Sequence, residues 1–356
     1  MPGAPGTDAS TPERSPSRLR IAHAILSQGL AGSEHAAAEA CNEMCRAQDV
    51  ALIVRDRHRG PGGASILDNL DPRVTVIEVP GWPFTRRAVA RSLASWCPDV
   101  VHTHLRRSTR YVAQARCGAV HFCTLHMGLN GPHFLQCDGL VCITDWQLAT
   151  VPAHYQGRVF LVHNSLVPRP RLDAGRRATL RRELGAADDE FLIGAVGRLA
   201  RSKGFDLLIE AFLRADLPAA RLAIVGAGRE RPRLERLAGG RVHFAGFRYD
   251  ARDCFQAFDV AVCPSRTEPF GRVIIEAMDA GTPVIASASQ GPTDIARRFP
   301  VELVPVGDVA ALAEALRGAV RRPRERLAID LAEFHVERVT ARLLDAYREV
   351  IAARAG

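Results

Sequence analysis

Val167-Pro168-Arg169-Pro170 interrupts a regular alternation of short apolar runs and helical patterns, and its reading decides the fold. Proline fixes φ and removes a backbone donor, so neither a helix interior nor a central strand runs through this segment. Prolines at 168 and 170 instead make a stiffened connection. Upstream, strand candidates lie at Leu19–Leu26, Val50–Val54, Val74–Val79, Val100–His102, Val120–Thr124, Leu140–Ile143 and Val159–Val162. Downstream the rhythm restarts, at Phe191–Val196, Arg221–Val225, Val242–Phe244, Val260–Cys263, Pro283–Ala286 and Val301–Val304. Helical patterns separate most of these runs, which predicts parallel sheets with helices on both faces. The chain therefore reads as α/β, two Rossmann-like domains over residues 18–166 and 167–333, hinged near 166–172. From His335 to Arg354 a long amphipathic pattern places Val339, Leu343, Leu344, Tyr347 and Ile351 on one side, the mark of a packing helix.

A length of 356 residues suits two domains with separate cores. The 47% hydrophobic and 24% charged content is ordinary for a soluble α/β protein. No run of about 18 apolar residues occurs, which excludes a membrane-spanning helix. Residues 1–17 are rich in Pro, Gly, Ser and Thr without an apolar centre, so they are expected to be a disordered leader rather than a signal peptide. Nine scattered cysteines lack disulfide or zinc-knuckle spacing, pointing to reduced thiols and a cytoplasmic protein. A net charge of +8 favours anionic partners: nucleotides, anionic lipid or nucleic acid. Arg106-Arg107-Ser108-Thr109-Arg110 lacks the interleaved aromatics of a nucleic-acid surface, so nucleic acid is not expected. The amphipathic stretch from Arg86 to Trp96 could lie on an anionic membrane, although a plain surface helix explains it as well.

Glu268-Pro269-Phe270-Gly271-Arg272-Val273-Ile274-Ile275-Glu276 carries the strongest chemical signal. On one continuous helix the two carboxylates would lie about two turns apart on nearly one face. With Glu268 in the loop that Pro269 and Gly271 punctuate, both would instead flank a helix N-terminus. Free backbone N–H groups and the dipole attract anions there. Acids beside an anion site suit a ligand with both hydroxyls and phosphates, as a nucleotide sugar has. His102 and His104 have no acidic or thiol partner spaced to close a metal site, and are expected as one core and one cleft-lining side chain. Gly226-Ala227-Gly228 is followed by Arg229, Glu230 and Arg231 without a third glycine, so a dehydrogenase fingerprint fails.

Several segments resemble, in order, the retaining GT-B glycosyltransferases of family four, also called glycosyl transferases group 1. They are Val196-Gly197-Arg198-Leu199 with Lys203-Gly204-Phe205-Asp206, then Ile224-Val225-Gly226-Ala227-Gly228, then Val242-His243-Phe244-Ala245-Gly246-Phe247. Phe258-Asp259-Val260, Cys263-Pro264-Ser265, the Glu268/Glu276 motif and Ala280-Gly281-Thr282-Pro283-Val284-Ile285-Ala286 follow. In the first half, Pro98 to His104, Thr124-Leu125-His126 and the Ala31-Gly32-Ser33-Glu34 loop are looser matches. Met127 stands where the family commonly has Asp, and Ser165 where it usually has Gly.

The resemblance implies a GT-B fold, two Rossmann-like domains facing an interdomain cleft, with residues 334–356 crossing back to the first. It implies a retaining transfer from a UDP- or GDP-sugar co-substrate to a hydroxyl of a cell-envelope glycan or glycolipid, with no other cofactor and no metal. Arg198 and Lys203 would balance the leaving diphosphate, helped by amides near Phe270, Gly271 and Arg272. Glu276 would accept from the ribose hydroxyls, and Glu268 would contact the donor sugar. Gly197, Gly226 and Phe247 would line the nucleotide site. His126 would stabilise the oxocarbenium-like centre through its backbone or bond a sugar hydroxyl. Gly32 would face the donor phosphates, beside the plainer reading in which Ser33 caps the first helix. Peripheral contact with the inner face of the cytoplasmic membrane also fits. The competing readings are a nucleotide-sugar epimerase, which lacks a recognisable acid/base set in the first half, and a degenerate sugar-nucleotide-binding subunit.

Overall fold

The computed structural model describes residues 18–60 and 63–356; the leader expected over 1–17 lies outside them. The first sheet comprises β1 (Arg20–Ile25), β2 (Asp49–Arg55), β3 (Thr75–Val79), β4 (Val100–His104), β5 (Val120–Thr124), β6 (Gly139–Cys142) and β7 (Arg158–Leu161). The second comprises β8 (Phe191–Val196), β9 (Ala220–Val225), β10 (Val242–Gly246), β11 (Val260–Cys263), β12 (Val284–Ser287) and β13 (Val301–Val304). Each lies within two residues of a run identified in the sequence. Burial on both faces explains this legibility, because β4 is buried from Val100 to His104 and β8 from Phe191 to Ala195.

The strand orders are β3-β2-β1-β4-β5-β6-β7 and β10-β9-β8-β11-β12-β13, parallel throughout. Both orders reverse direction once, at β1/β4 and at β8/β11. Ligands in open parallel sheets bind at the carboxyl ends beside such a reversal.

The helix Val336–Ala355 packs on the first sheet, burying Val339, Leu343, Ala346, Tyr347 and Val350 beside Ile21, Val100 and Phe122. The two crossings between domains are bonded to each other at Leu166 and His335, which form a parallel bridge. The Leu166 amide donates to the Phe334 carbonyl at 2.6 Å, and the Val336 amide to the Leu166 carbonyl at 3.0 Å.

The helix Thr85–Trp96 turns Ala88, Val89 and Leu93 inward, and the Arg20 guanidinium lies 4.8 Å over the Trp96 ring. Just ahead of it Trp82 and Phe84 are exposed. Among the described residues no helix is long and apolar enough to cross a membrane. All nine cysteines are free thiols.

Candidate active site

The sequence-identified residues of the second half gather at the carboxyl ends of its strands. Gly197 and Arg198 follow β8, Gly226 follows β9, Phe247 follows β10, and Glu268 lies in the loop after β11. The Gly197 and Gly226 turns lie flush, because a Cβ on Gly226 would stand 1.9 Å from the Gly197 carbonyl oxygen. Gly226 also has φ of +142°, so only glycine permits this approach. Gly271, with φ of +100°, ends the motif loop and starts the helix Arg272–Asp279. Glu268 therefore sits in the loop and Glu276 on the helix, the second of the two arrangements that the spacing allowed.

Glu268 and Lys203, assigned separate tasks above, form one pair with Nζ 2.5 Å from Oε2. The Ser265 hydroxyl adds a 3.3 Å hydrogen bond to the same oxygen. Burial lowers the Lys203 pKa, but the carboxylate outweighs burial and raises it above the ordinary lysine value. Arg198 is exposed and makes no side-chain hydrogen bond or ion pair among the described residues, which leaves it free to meet an anion.

Glu276 belongs to a buried charge cluster that spans both domains. The Arg272 guanidinium lies 3.4 Å from Glu276 and grips Glu39 of the helix Gly32–Met44 at 2.8 and 3.1 Å. Arg252 stands 4.0 Å from both carboxylates. Burial raises the Glu276 carboxyl above its usual range, more than Arg272 and Arg252 lower it. For Glu39 burial also opposes ionisation, but the Arg272 charge and hydrogen bonds prevail and its pKa is lowered. The reading of Arg272 as an amide donor thus missed its side chain, which bridges the domains.

Gly32 comes close to the same arginine side chain, since a Cβ there would lie 3.5 Å from the Arg272 Cδ. Ala31, not Ser33, is the N-cap of that helix, and the Ser33 hydroxyl donates to Glu34 at 2.9 Å. A second interdomain contact sits on the motif itself. The Trp146 indole N–H donates to the Pro269 carbonyl at 2.9 Å, and the Trp146 amide donates to Asp294 at 3.0 Å. Phe270 contributes its ring to the core, edge-on to Phe334 at 6.1 Å. Phe247 is exposed, its ring edge-on to Tyr249 at 5.0 Å.

His126 follows β5 and reaches toward the same boundary. Its Nε2 lies 2.9 Å from His104 Nδ1, and burial, then the Arg272 charge, lowers its pKa to about 4. His102 bonds the Tyr347 hydroxyl through Nδ1 and Thr124 Oγ1 through Nε2, the latter at 2.7 Å. Both His102 and His104 are interior, contrary to the expectation that one lines the cleft. Residues two apart on a strand share a face, and this face of β4 lies under helices. A cavity of about 30 Å³ between His104, Thr124, Asn164 and Thr340 is large enough for one water.

Sequence reasoning missed Glu39, Trp146, Arg252 and His23. Neither spacing nor turn chemistry marks Glu39 or Trp146, because their partners lie in the other domain. Together, the two free or paired cations, the first-turn amides of the motif helix and the two motif carboxylates can bind a ligand with phosphate and hydroxyl groups.

Residues 176–332 match the family described as glycosyl transferases group 1. The second half of the chain belongs to that family. The chain is 36% identical over 235 residues to the lipopolysaccharide core biosynthesis glycosyltransferase LpsE of Rhizobium meliloti, covering 62% of this chain and 66% of that protein, just under two thirds of its length. It is 29% identical over 299 residues to LpsD of the same organism, covering 76% and 84%. Among solved structures it resembles Anabaena Alr3699/HepE in complex with UDP-glucose, with a TM-score of 0.76 and 18% identity over 95% of this chain and 100% of that one. The fold of the chain is GT-B, two parallel-sheet Rossmann-like domains.

Proposed function

We propose that the protein moves a sugar from a nucleoside-diphosphate sugar to a hydroxyl of a cell-envelope glycan or glycolipid, with retention at the anomeric carbon and without a metal ion. The observation that carries this reading is the juxtaposition at the β8/β11 reversal. Arg198 and the Lys203–Glu268 pair stand there beside the motif helix, with Glu276 inside. As the bond from the anomeric carbon to the diphosphate oxygen breaks, Arg198, Lys203 and the helix amides balance the charge on that oxygen. Glu276 accepts from the ribose hydroxyls, Phe247 borders the base, and Glu268 meets the sugar. The acceptor oxygen bonds to the anomeric carbon on the departing face, and its proton passes to the leaving diphosphate.

Residues 18–166 form the acceptor domain and 167–333 the donor domain in this reading, with 334–356 returning to the first. The UDP-glucose bound by the Anabaena neighbour supports a UDP-sugar. The lipopolysaccharide core relatives support an envelope acceptor, hence cytoplasmic work at the inner face of the membrane. Exposed Trp82 and Phe84 ahead of Arg86, Arg87 and Arg91 support peripheral contact with anionic lipid there.

A thermal-shift series with UDP, GDP, ADP and their hexose conjugates, with and without EDTA, tests the donor site. A ligand at 100 times its Kd stabilises by about 2.7 kcal/mol. One nucleotide raising Tm in EDTA, with the rise lost in Glu276→Ala, is the expected result. No rise with any nucleotide would overturn the reading in favour of another donor class.

A further inference from the structure

Behind His126 two further imidazoles and one thioether form a buried line. His126 Nε2 lies 2.9 Å from His104 Nδ1, His104 Nε2 lies 3.0 Å from His23 Nδ1, and His23 Nε2 lies 3.5 Å from Met44 Sδ. All three histidines are buried, and no carboxylate pairs with any of them among the described residues. Burial accordingly keeps them neutral, which agrees with the lowered pKa of each.

A neutral imidazole has one N–H donor and one acceptor nitrogen, whereas a thioether only accepts. The sulfur at the end therefore sets the direction of the whole line. His23 donates from Nε2 to Met44, which leaves its Nδ1 as an acceptor. His104 donates from Nε2 to that nitrogen, which leaves its own Nδ1 as an acceptor. His126 must then donate from Nε2. Its remaining nitrogen, Nδ1, carries a lone pair and makes no protein hydrogen bond among the described residues.

We propose that Met44, His23 and His104 are positioning residues that hold His126 in the Nε2–H form, so that Nδ1 offers a fixed acceptor to a donor-sugar hydroxyl. The sugar part of this statement rests on the proposed function. A neutral acceptor suits the position, because a cationic imidazole would oppose the positive charge that develops on the anomeric centre. The arrangement parallels the way a partner on one ring nitrogen fixes the form of a catalytic or metal-binding histidine.

Two-bond proton–nitrogen spectra of the full-length enzyme labelled with nitrogen-15 histidine, recorded from pH 6 to 8, read the tautomer directly. His126→Asn assigns the signal. A protonated Nε2 and bare Nδ1 at His126 are expected; a protonated Nδ1, an averaged mixture or an imidazolium overturns the proposal. This measurement needs no turnover, so it stands apart from any failure of the donor assignment. For kinetics, His104→Asn keeps an acceptor near the Nδ1 place while His104→Leu removes it. His104→Leu should lower kcat about tenfold with UDP affinity unchanged, and His104→Asn should recover most of that loss. Equal losses in both variants would overturn the role of His104.

Discussion

Arg272 holds both carboxylate oxygens of Glu39 across the domain boundary, at 2.8 and 3.1 Å, while also lying 3.4 Å from Glu276. One guanidinium thus links the first domain to the carboxylate assigned to the donor ribose. The Ser165 hydroxyl fixes Glu39 from the hinge side at 2.6 Å. The fork geometry makes this pair directional, and it is nearly free of solvent, with side chains 8% and 13% exposed.

Removing one partner of such a pair leaves the other charge buried. Glu39→Ala should destabilise the protein by about 3 kcal/mol, measured by urea denaturation. Combining it with Arg272→Met should return part of that loss. An unchanged midpoint in Glu39→Ala would show that the pair contributes nothing.

Glu276→Ala should weaken donor binding about 100-fold by calorimetry, through two lost charge-assisted hydrogen bonds. Burial raises the pKa of this carboxyl. In the proposed role ionised Glu276 is the acceptor, so donor affinity should decline on acidification at a higher pH than an ordinary carboxylate would give. Affinity that is flat until the usual carboxylate range contradicts this.

Lys203→Ala should lower kcat about 100-fold with a much smaller change in KM, since the leaving-group charge develops in the transition state. Lys203→Arg should restore little, because a planar fork does not fit the 2.5 Å contact with Glu268. Wild-type turnover in Lys203→Ala would remove the lysine from the mechanism.

His23, His121 and His126 have pKa values lowered from 6.5 to about 4 by burial. Between those values the unfolded chain binds more protons than the folded one. Stability is therefore complete above pH 6.5 and falls as the pH drops toward 4, by about 1.4 kcal/mol per pH unit for each imidazole. Urea midpoints at pH 7.5, 6 and 5 measure the slope; equal midpoints would contradict neutral burial.

The sheets were legible because parallel strands buried on both faces read as unbroken apolar runs, as in Leu52-Ile53-Val54 and Leu192-Ile193. The motif was legible because Pro269 and Gly271 mark a loop that the helix pattern then leaves. Arg272 reads as surface charge within that pattern, and only docking of the first domain gives it Glu39 as a partner. Alternation along β4 could have put His102 and His104 on one face from the sequence. The ring-to-ring bonds additionally needed Ile25 set opposite His104, a pairing between strands far apart in the chain.

The helix Val336–Ala355 also orders events during synthesis. Tyr347 lies wholly inside the first domain, edge-on to Phe122 at 4.8 Å and bonded to His102. The apolar face that receives it emerges from the ribosome long before residue 347 is made. At about 5–20 residues per second, translating residues 167–335 takes roughly ten to thirty seconds. By the end of that interval the second domain has its full sequence and can close, while the first still lacks one wall. The domain made first is completed last, and its open face is what a nascent-chain chaperone would meet.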